Sequence, residues 1–465
     1  MEKQQSHIDN RPNIILIMTD QMRGDTMSCA GHPVVQTPYL DSLAGSGVRF
    51  SNAYSACPIC IPARRTLMSG QKPSTHGVVH NYHTFLDSPT LAESLSDAGY
   101  QTMLSGKLHL WPIRKAYGFD SMKLSDGPGY SYNEGDSDYL RFLKRSGITE
   151  LHAQSAGGVP GEATTVRPWH REERYHVANW ATEGAIDFIE RRDPTRPFFL
   201  KLSYFHPHPP LMPPEVYYNR YINKEIPEPV IGDWARIYDE PQVGISPSST
   251  RQYLPLERMK QYRAAYYAQI NHIDDQIQRF FLAANKSQAF DMSNTIVIFV
   301  SDHGEMLGDH QYTRKAVPYE GAANVPFIIN FPDSLDIPQG NVNSEPVELM
   351  DIMPTILDAI DVSIPDTVEG RSLIPLLRQE TDWRDYVHGE ISHVISAPSG
   401  MHYLTDGKMK YIWYPGQNKE ELFNLKEDPQ EIHELVSEGK ASKEELKLWR
   451  SRLVEELKDR PEGFV

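Results

Sequence analysis

Cysteine is scarce in this chain: Cys29, Cys57 and Cys60 are the three present among 465 residues. So low and odd a count builds no disulfide framework, and a reducing compartment is the simplest reading. Long apolar runs are also missing. None approaches the ~20 residues that a membrane-spanning helix needs. Positive charge is outnumbered, with 46 Lys and Arg against 62 Asp and Glu and a net charge of −16. That balance argues against partners such as nucleic acid or an anionic membrane. It leaves room for an anionic substrate, because a local cationic pocket can outweigh the global field. Met1 to Arg11 is polar and has no apolar core, so no signal peptide is expected. The expectation is a soluble, cytoplasmic protein, with a secreted chain trimmed of its leader as the alternative.

What is present is the composition of a globular protein, 39% hydrophobic and 23% charged, which excludes collagen-like and wholly disordered chains. Two apolar runs, 13–18 and 295–300, have the length and β-branched content of central parallel strands. Between and after them, helical patterns (91–99, 175–191, 259–282, 349–360) alternate with strand patterns (101–104, 197–204, 325–330). The alternation predicts an α/β fold: a large mixed, mostly parallel sheet flanked by helices. Segments 127–168 and 209–256, rich in Pro, Gly, Ser and Tyr, read as long irregular insertions. Beyond about residue 380 the texture changes. Residues 401–404 and 410–413 flank Asp406-Gly407 as a hairpin, and 443–458 reads as a charged helix. The expected organisation is a large α/β domain over 1–380 and a smaller C-terminal subdomain over 381–465, an antiparallel sheet plus a helix.

Ligands in open α/β sheets gather at the carboxyl ends of strands. The two apolar runs end in Asp20-Gln21 and in Asp302-His303. Two carboxylates, an amide oxygen and an imidazole suit one divalent cation, Ca²⁺, Mg²⁺ or Mn²⁺, the imidazole tilting the set a little toward Mn²⁺. A strand-end cap and a turn start are the plainer alternatives. The segment Cys57-Pro58-Ile59-Cys60-Ile61-Pro62-Ala63-Arg64 offers a C-x-x-C pair. It lacks a thioredoxin-like context and a second cysteine pair for zinc, which leaves buried packing residues as the plain reading.

Cys60-x-Pro62-x-Arg64, running on to Leu67-Met68-Ser69-Gly70, resembles the sulfatase signature C-x-P-x-R. Further elements fall in that family's order: Gly106-Lys107-Leu108-His109, Pro207-His208-Pro209-Pro210, Lys315 before Glu320-Gly321, and 421–425 with 428–431. The resemblance implies an alkaline-phosphatase-like fold and assigns the metal positions to Asp20, Gln21, Asp302 and His303, together with the side chain of Cys60. It also implies conversion of Cys60 to 3-oxoalanine (formylglycine) by a sulfatase-maturing, formylglycine-generating enzyme, and one divalent ion, most often calcium. Some positions depart from the commoner pattern. Gln21 stands for a second aspartate, His303 for asparagine, Ala63 for serine and Asn324 for arginine. Asp-Gln, Asp-His and C-x-P-A-R look nearest to choline sulfatases and phosphonate monoester hydrolases.

The implied chemistry is hydrolysis of an organic sulfate monoester, aryl or carbohydrate, releasing inorganic sulfate. The hydrated aldehyde at position 60 attacks sulfur, and its second hydroxyl then expels sulfate, a step closed to plain serine or cysteine. In this reading Arg64 orients the nucleophile and Lys107 and Lys315 bind sulfate oxygens. His109 is the base at residue 60, and His208 is the acid at the leaving oxygen, with His206 a weaker candidate. Asn81 and Trp111, with His83 and Trp169, are candidates to contact the organic part. Partner expectations are a small-molecule or oligosaccharide sulfate ester and the maturing enzyme; a homo-oligomer is compatible with the sequence. Alternatives are a phosphonate or phosphate ester hydrolase, a choline sulfatase, and a non-catalytic binding protein on the same scaffold.

Overall fold

The structure is a computed structural model that describes residues 9–126, 137–149, 155–156, 159–160, 162–238, 250–251, 253–287, 289–392 and 400–460. Its main sheet has eight strands. In chain order they are β1 (Asn13–Asp20), β2 (Val48–Phe50), β3 (Gln101–Gly106), β4 (Ser121–Leu124), β5 (Phe198–Pro207), β6 (Thr295–Ser301), β7 (Phe327–Asn330) and β8 (Asn341–Asn343). Across the sheet the order is β8-β2-β7-β6-β1-β5-β3-β4. β7 runs antiparallel to both its neighbours, and the other pairs are parallel. This is the mixed, mostly parallel sheet that the alternating pattern predicts.

β1 is central because both its faces are apolar. Ile14, Leu16 and Met18 join a core with Leu91 and Leu95 of one helix and Ile352 and Ile356 of another. Ile15 and Ile17 point the other way, toward the Val177–Arg191 and Leu256–Ala284 helices, as the two-residue period of a strand demands. Each such side chain contributes roughly 1.5–3 kcal/mol on burial. β5 and β6 flank β1 in parallel, pairing Leu200 and Val297 with Ile15, and every residue of the three strands is buried.

The elements differ from expectation mainly at their ends. The 91–99 pattern becomes a helix over Leu91–Asp97, opened by a Thr90/Glu93 capping box. The 101–104 strand continues to Gly106, where φ is 116° and a Cβ would come within 1.9 Å of the Ser203 carbonyl. Glycine alone allows that approach, and it turns Lys107 off the strand end. The first expected insertion contains a short helix, Asp138–Arg145, and the second contains Glu215–Ile222; parts of both lie outside the described residues.

Near the C-terminus, four antiparallel strands form in sequence: β9 (Val387–Ile391), β10 (Met401–Thr405), β11 (Met409–Tyr414) and β12 (Lys419–Asn424). The expected hairpin is β10–β11, its turn held by Asp406 Oδ1, which accepts from Lys408 N and Met409 N. Trp449, Leu453 and Leu457 of the Lys443–Leu457 helix pack on Leu404, Tyr411 and Leu422 of this sheet. The Tyr403 hydroxyl donates to the Ser55 carbonyl at 2.7 Å, joining the sheet to the segment that leads into Cys60.

Candidate active site

The ends of β1 and β6 lie side by side, Thr19 paired with Ser301, which sets Asp20 next to Asp302. The chain then reverses at Gln21, whose φ is 70°, and its N–H donates to Asp302 Oδ1 at 3.1 Å. Asp20, Cys60, Asp302 and His303 each offer one ligand atom within 4.8 Å of the others, and all four residues are buried.

Cys60 opens the Cys60–Ser69 helix, whose N-cap residue Ile59 has no side-chain acceptor to offer. Asn81 takes that part: its Oδ1 accepts from Ile61 N at 2.9 Å, satisfying one of the orphan donors at a helix start. Cys60 Sγ lies 3.2 Å from His303 Nε2 and 3.8 Å from Asp20 Oδ1. Burial pushes the thiol up, but Lys107, Lys315 and His303 outweigh it and hold it well below its ordinary value. The other two cysteines go the opposite way under burial, Cys57 well above its ordinary value and Cys29 to about 11. The two thiols of the C-x-x-C pair are therefore driven in opposite directions, Cys60 toward the thiolate and Cys57 toward the thiol.

Arg64 sits one turn along from Cys60, on the same helix face. Its Nε donates to Asp302 Oδ2 at 2.7 Å and its Nη2 to Asp20 Oδ2 at 3.2 Å; Nη1 reaches the Lys107 carbonyl and Ser203 Oγ. Lys107 Nζ also bonds Asp20 Oδ2. Burial and Cys60 would raise the Asp20 carboxyl, but Lys107, His208 and Arg64 carry it down to about 2. The turn after β3 is held by Asp126, whose Oδ1 accepts from Leu108 N at 2.7 Å and His109 N at 3.0 Å. His109 is thereby fixed at φ 62° with its imidazole in hydrogen-bonding reach of Cys60, and burial and Lys107 push it down to about 4. It is neutral at physiological pH.

His208 comes from the end of β5, its N–H donating to the Asp20 carbonyl at 3.1 Å. Its Nε2 lies 2.8 Å from Lys315 Nζ and 3.5 Å from Glu162 Oε1. Burial and Lys315 push the imidazolium down, yet Glu162 and Asp20 outweigh them and raise it to about 9. His109 and His208 are thus driven apart, one toward its neutral form and the other toward its protonated form. Lys315 Nζ donates to Gln21 Oε1 at 2.6 Å, and Gln21 Nε2 bonds Glu305. Gln21, expected among the ion's ligands, bridges this lysine to that carboxylate. His206 packs elsewhere, against His176 at 4.9 Å and beside Gln269.

Of the residues expected to touch the organic part, Asn81 caps the helix as described. Trp111, 37% exposed, stacks on exposed His83 with ring centroids 4.8 Å apart and 4° between planes. Trp169 is buried edge-on to His176. Asn324 Nδ2 donates to the Ser51 carbonyl at 3.1 Å, joining its loop to the strand β2 end. Sequence reasoning missed Asp126, Glu305 and Glu162, none of which belongs to a motif.

The family described as Sulfatase matches residues 12–362, and that of the N-sulphoglucosamine sulphohydrolase C-terminal region matches 308–459. An arylsulfatase from Clostridium perfringens is 40% identical over 98% of this chain and 96% of its own length. A choline-sulfatase from Rhizobium meliloti is 29% identical over 92% of this chain and 82% of its own. The crystal structure of a phosphonate monoester hydrolase from Agrobacterium radiobacter superposes with a TM-score of 0.80 at 23% identity, covering 95% of each chain; this likeness shows the expected fold. With a family match over most of its length and a close arylsulfatase relative, the chain belongs to the sulfatase family and is a sulfuric ester hydrolase.

Proposed function

We propose that the protein cleaves aryl or carbohydrate sulfate monoesters with residue 60, carried as 3-oxoalanine, as the nucleophile beside one divalent ion. The observation that carries this reading is Cys60 Sγ, 3.2 Å from His303 Nε2, among the carboxylates of Asp20 and Asp302.

The donor set fits an ion. His303 Nδ1 faces the Gly304 carbonyl at 3.0 Å, an arrangement that leaves Nε2 as the ligand atom. Asp20, Asp302, His303 and residue 60 would hold the ion, a hard, oxygen-rich set suited to Ca²⁺, Mg²⁺ or Mn²⁺. The ion would supply Lewis acidity, and 3-oxoalanine an electrophilic carbon that a thiol lacks.

The remaining work falls to groups of this chain. Neutral His109 takes the proton from residue 60, and protonated His208 gives one to the leaving oxygen. Lys107 and Lys315 neutralise charge on the sulfate oxygens, in a site dry enough for that to count. Arg64 locks the two carboxylates in place. Maturation by a formylglycine-generating enzyme belongs to the same proposal. The test is release of inorganic sulfate from p-nitrophenyl sulfate by protein co-produced with such an enzyme. Cys60→Ala should lower turnover about 10⁴-fold or more, as loss of a nucleophile does. A Cys60→Ala protein with wild-type turnover would contradict it.

A further inference from the structure

Glu162 lays a carboxylate beside Lys315, one of the two lysines assigned to the sulfate group, and beside Arg314 and His208. Its Oε2 is 2.7 Å from Arg314 Nη2 and 3.6 Å from Lys315 Nζ, while Oε1 is 3.5 Å from His208 Nε2. The Glu162 side chain is 37% exposed, against 4% for Lys315 and 6% for His208, so it stands on the solvent side of this cluster. Burial would raise its carboxyl, but Lys315 and His208 outweigh burial and hold it well below the usual range, so the charge is permanent at working pH.

A pocket built only to attract anions gains nothing from such a group. The carboxylates Asp20, Asp302 and Glu305 already accompany Arg64, Lys107 and Lys315. A fourth one becomes useful when anions must be told apart. Sulfate, phosphate and phosphonate esters present near-identical tetrahedra, so shape separates them poorly. Charge separates them well: a sulfate monoester or phosphonate monoester carries one negative charge, whereas a phosphate monoester carries nearly two, its second pKa being about 6. A fixed anion beside the binding cations disfavours the dianion more than the monoanion.

We propose that Glu162 is a specificity residue that disfavours dianionic tetrahedral esters and so reserves the pocket for monoanions. The location of the substrate anion in this inference rests on the proposed function. The effect is a difference between substrates, distinct from any common effect on folding or on His208.

The experiment compares kcat/KM of the matured, metal-loaded enzyme for p-nitrophenyl sulfate, p-nitrophenyl phosphate and p-nitrophenyl phenylphosphonate at about pH 8, where the phosphate ester is a dianion. The p-nitrophenolate leaves with little need of an acid, so altered protonation of His208 falls on all three alike. In Glu162→Gln the phosphate-to-sulfate ratio should rise about tenfold, the scale for one extra unit charge a few ångströms away in a partly wet pocket. The phosphonate-to-sulfate ratio should stay put. Glu162→Ala should behave like Glu162→Gln, and Glu162→Asp, which keeps the charge, should lean back toward wild type. Unchanged ratios in folded Glu162→Gln and Glu162→Ala, or phosphate and phosphonate rising together, would overturn the inference. Wild-type protein that turns over phosphonate but not sulfate would overturn the proposed function instead, and the charge effect would still be read from the phosphate-to-phosphonate ratio.

Discussion

Arg64 Nε donates to Asp302 Oδ2 at 2.7 Å, with neither side chain exposed to solvent. The same guanidinium reaches Asp20, the Lys107 carbonyl and Ser203, so its fork ties the ends of β1 and β6 to the turn after β3 and to β5. Removing one partner of a buried pair leaves the other charged and unpaired, which costs about 3–5 kcal/mol. Arg64→Met should lower the unfolding midpoint clearly. Arg64→Lys should recover part of that stability, yet its point charge cannot reproduce the fork, and turnover should fall about 10²-fold or more. Thermal melts and sulfate release on both variants check this; a lysine variant with native turnover would count against it.

The two histidines set a pH window. His109 serves as a base only when neutral, so activity is lost as pH falls through about 4. His208 serves as an acid only when protonated, so activity is lost as pH rises through about 9. The kcat/KM profile for a substrate with a poor leaving group should therefore be bell-shaped between those limits. His109→Gln should flatten the acid limb of what activity remains, and His208→Gln the alkaline limb. A wild-type profile that stays flat through about 9 would remove His208 from the role of acid.

Divalent ions should stabilise the folded protein through Asp20 and Asp302, because binding to the native state alone raises its stability, by about 2.7 kcal/mol at a hundredfold excess over Kd. Protein stripped with a chelator should melt lower than the same protein supplied with Ca²⁺, Mg²⁺ or Mn²⁺. Asp302→Asn should lose most of that response. Melting midpoints that ignore all three ions would show that these carboxylates hold none.

Lys201 lies wholly buried in β5, its amine 3.4 Å from the sulfur of Met18 and 3.7 Å from that of Met68. Burial and Arg64 push it down from 10.5 to about 7. Between those values the unfolded chain binds a proton that the folded chain does not, so this residue makes stability rise with pH. Lys201→Met removes a poorly satisfied polar group. It should raise the melting midpoint by several degrees near neutrality and abolish this part of the pH dependence. A lower midpoint with the pH slope intact would refute the assignment.

These arrangements were legible in the sequence to different degrees. Asp20 and Asp302 follow from two apolar strands and from the rule that parallel strands deliver their ends to one place. Cys60 and Arg64 are named by the motif, but the helix that sets them on one face was not among the predicted elements. Glu162, Glu305 and Asp126 were not legible, because each acts through a contact distant in sequence, such as Gln21 with Glu305, and local pattern carries no trace of it. Lys201 sits in the 197–204 strand pattern, where one amine changes neither periodicity nor length. Asn81 was read as a substrate contact, and nothing in the sequence signalled that its carbonyl oxygen also caps the Cys60 helix. A polar loop residue beside a motif serves either purpose, and only the backbone N–H it meets identifies the cap.

The mass of the peptide carrying residue 60, measured on matured and fully active protein, tests the central claim most directly. The account predicts a peptide lighter by the difference between CH₂SH and CHO, with its occupancy tracking specific activity across preparations. An intact cysteine at that position in a sample at full turnover would contradict it.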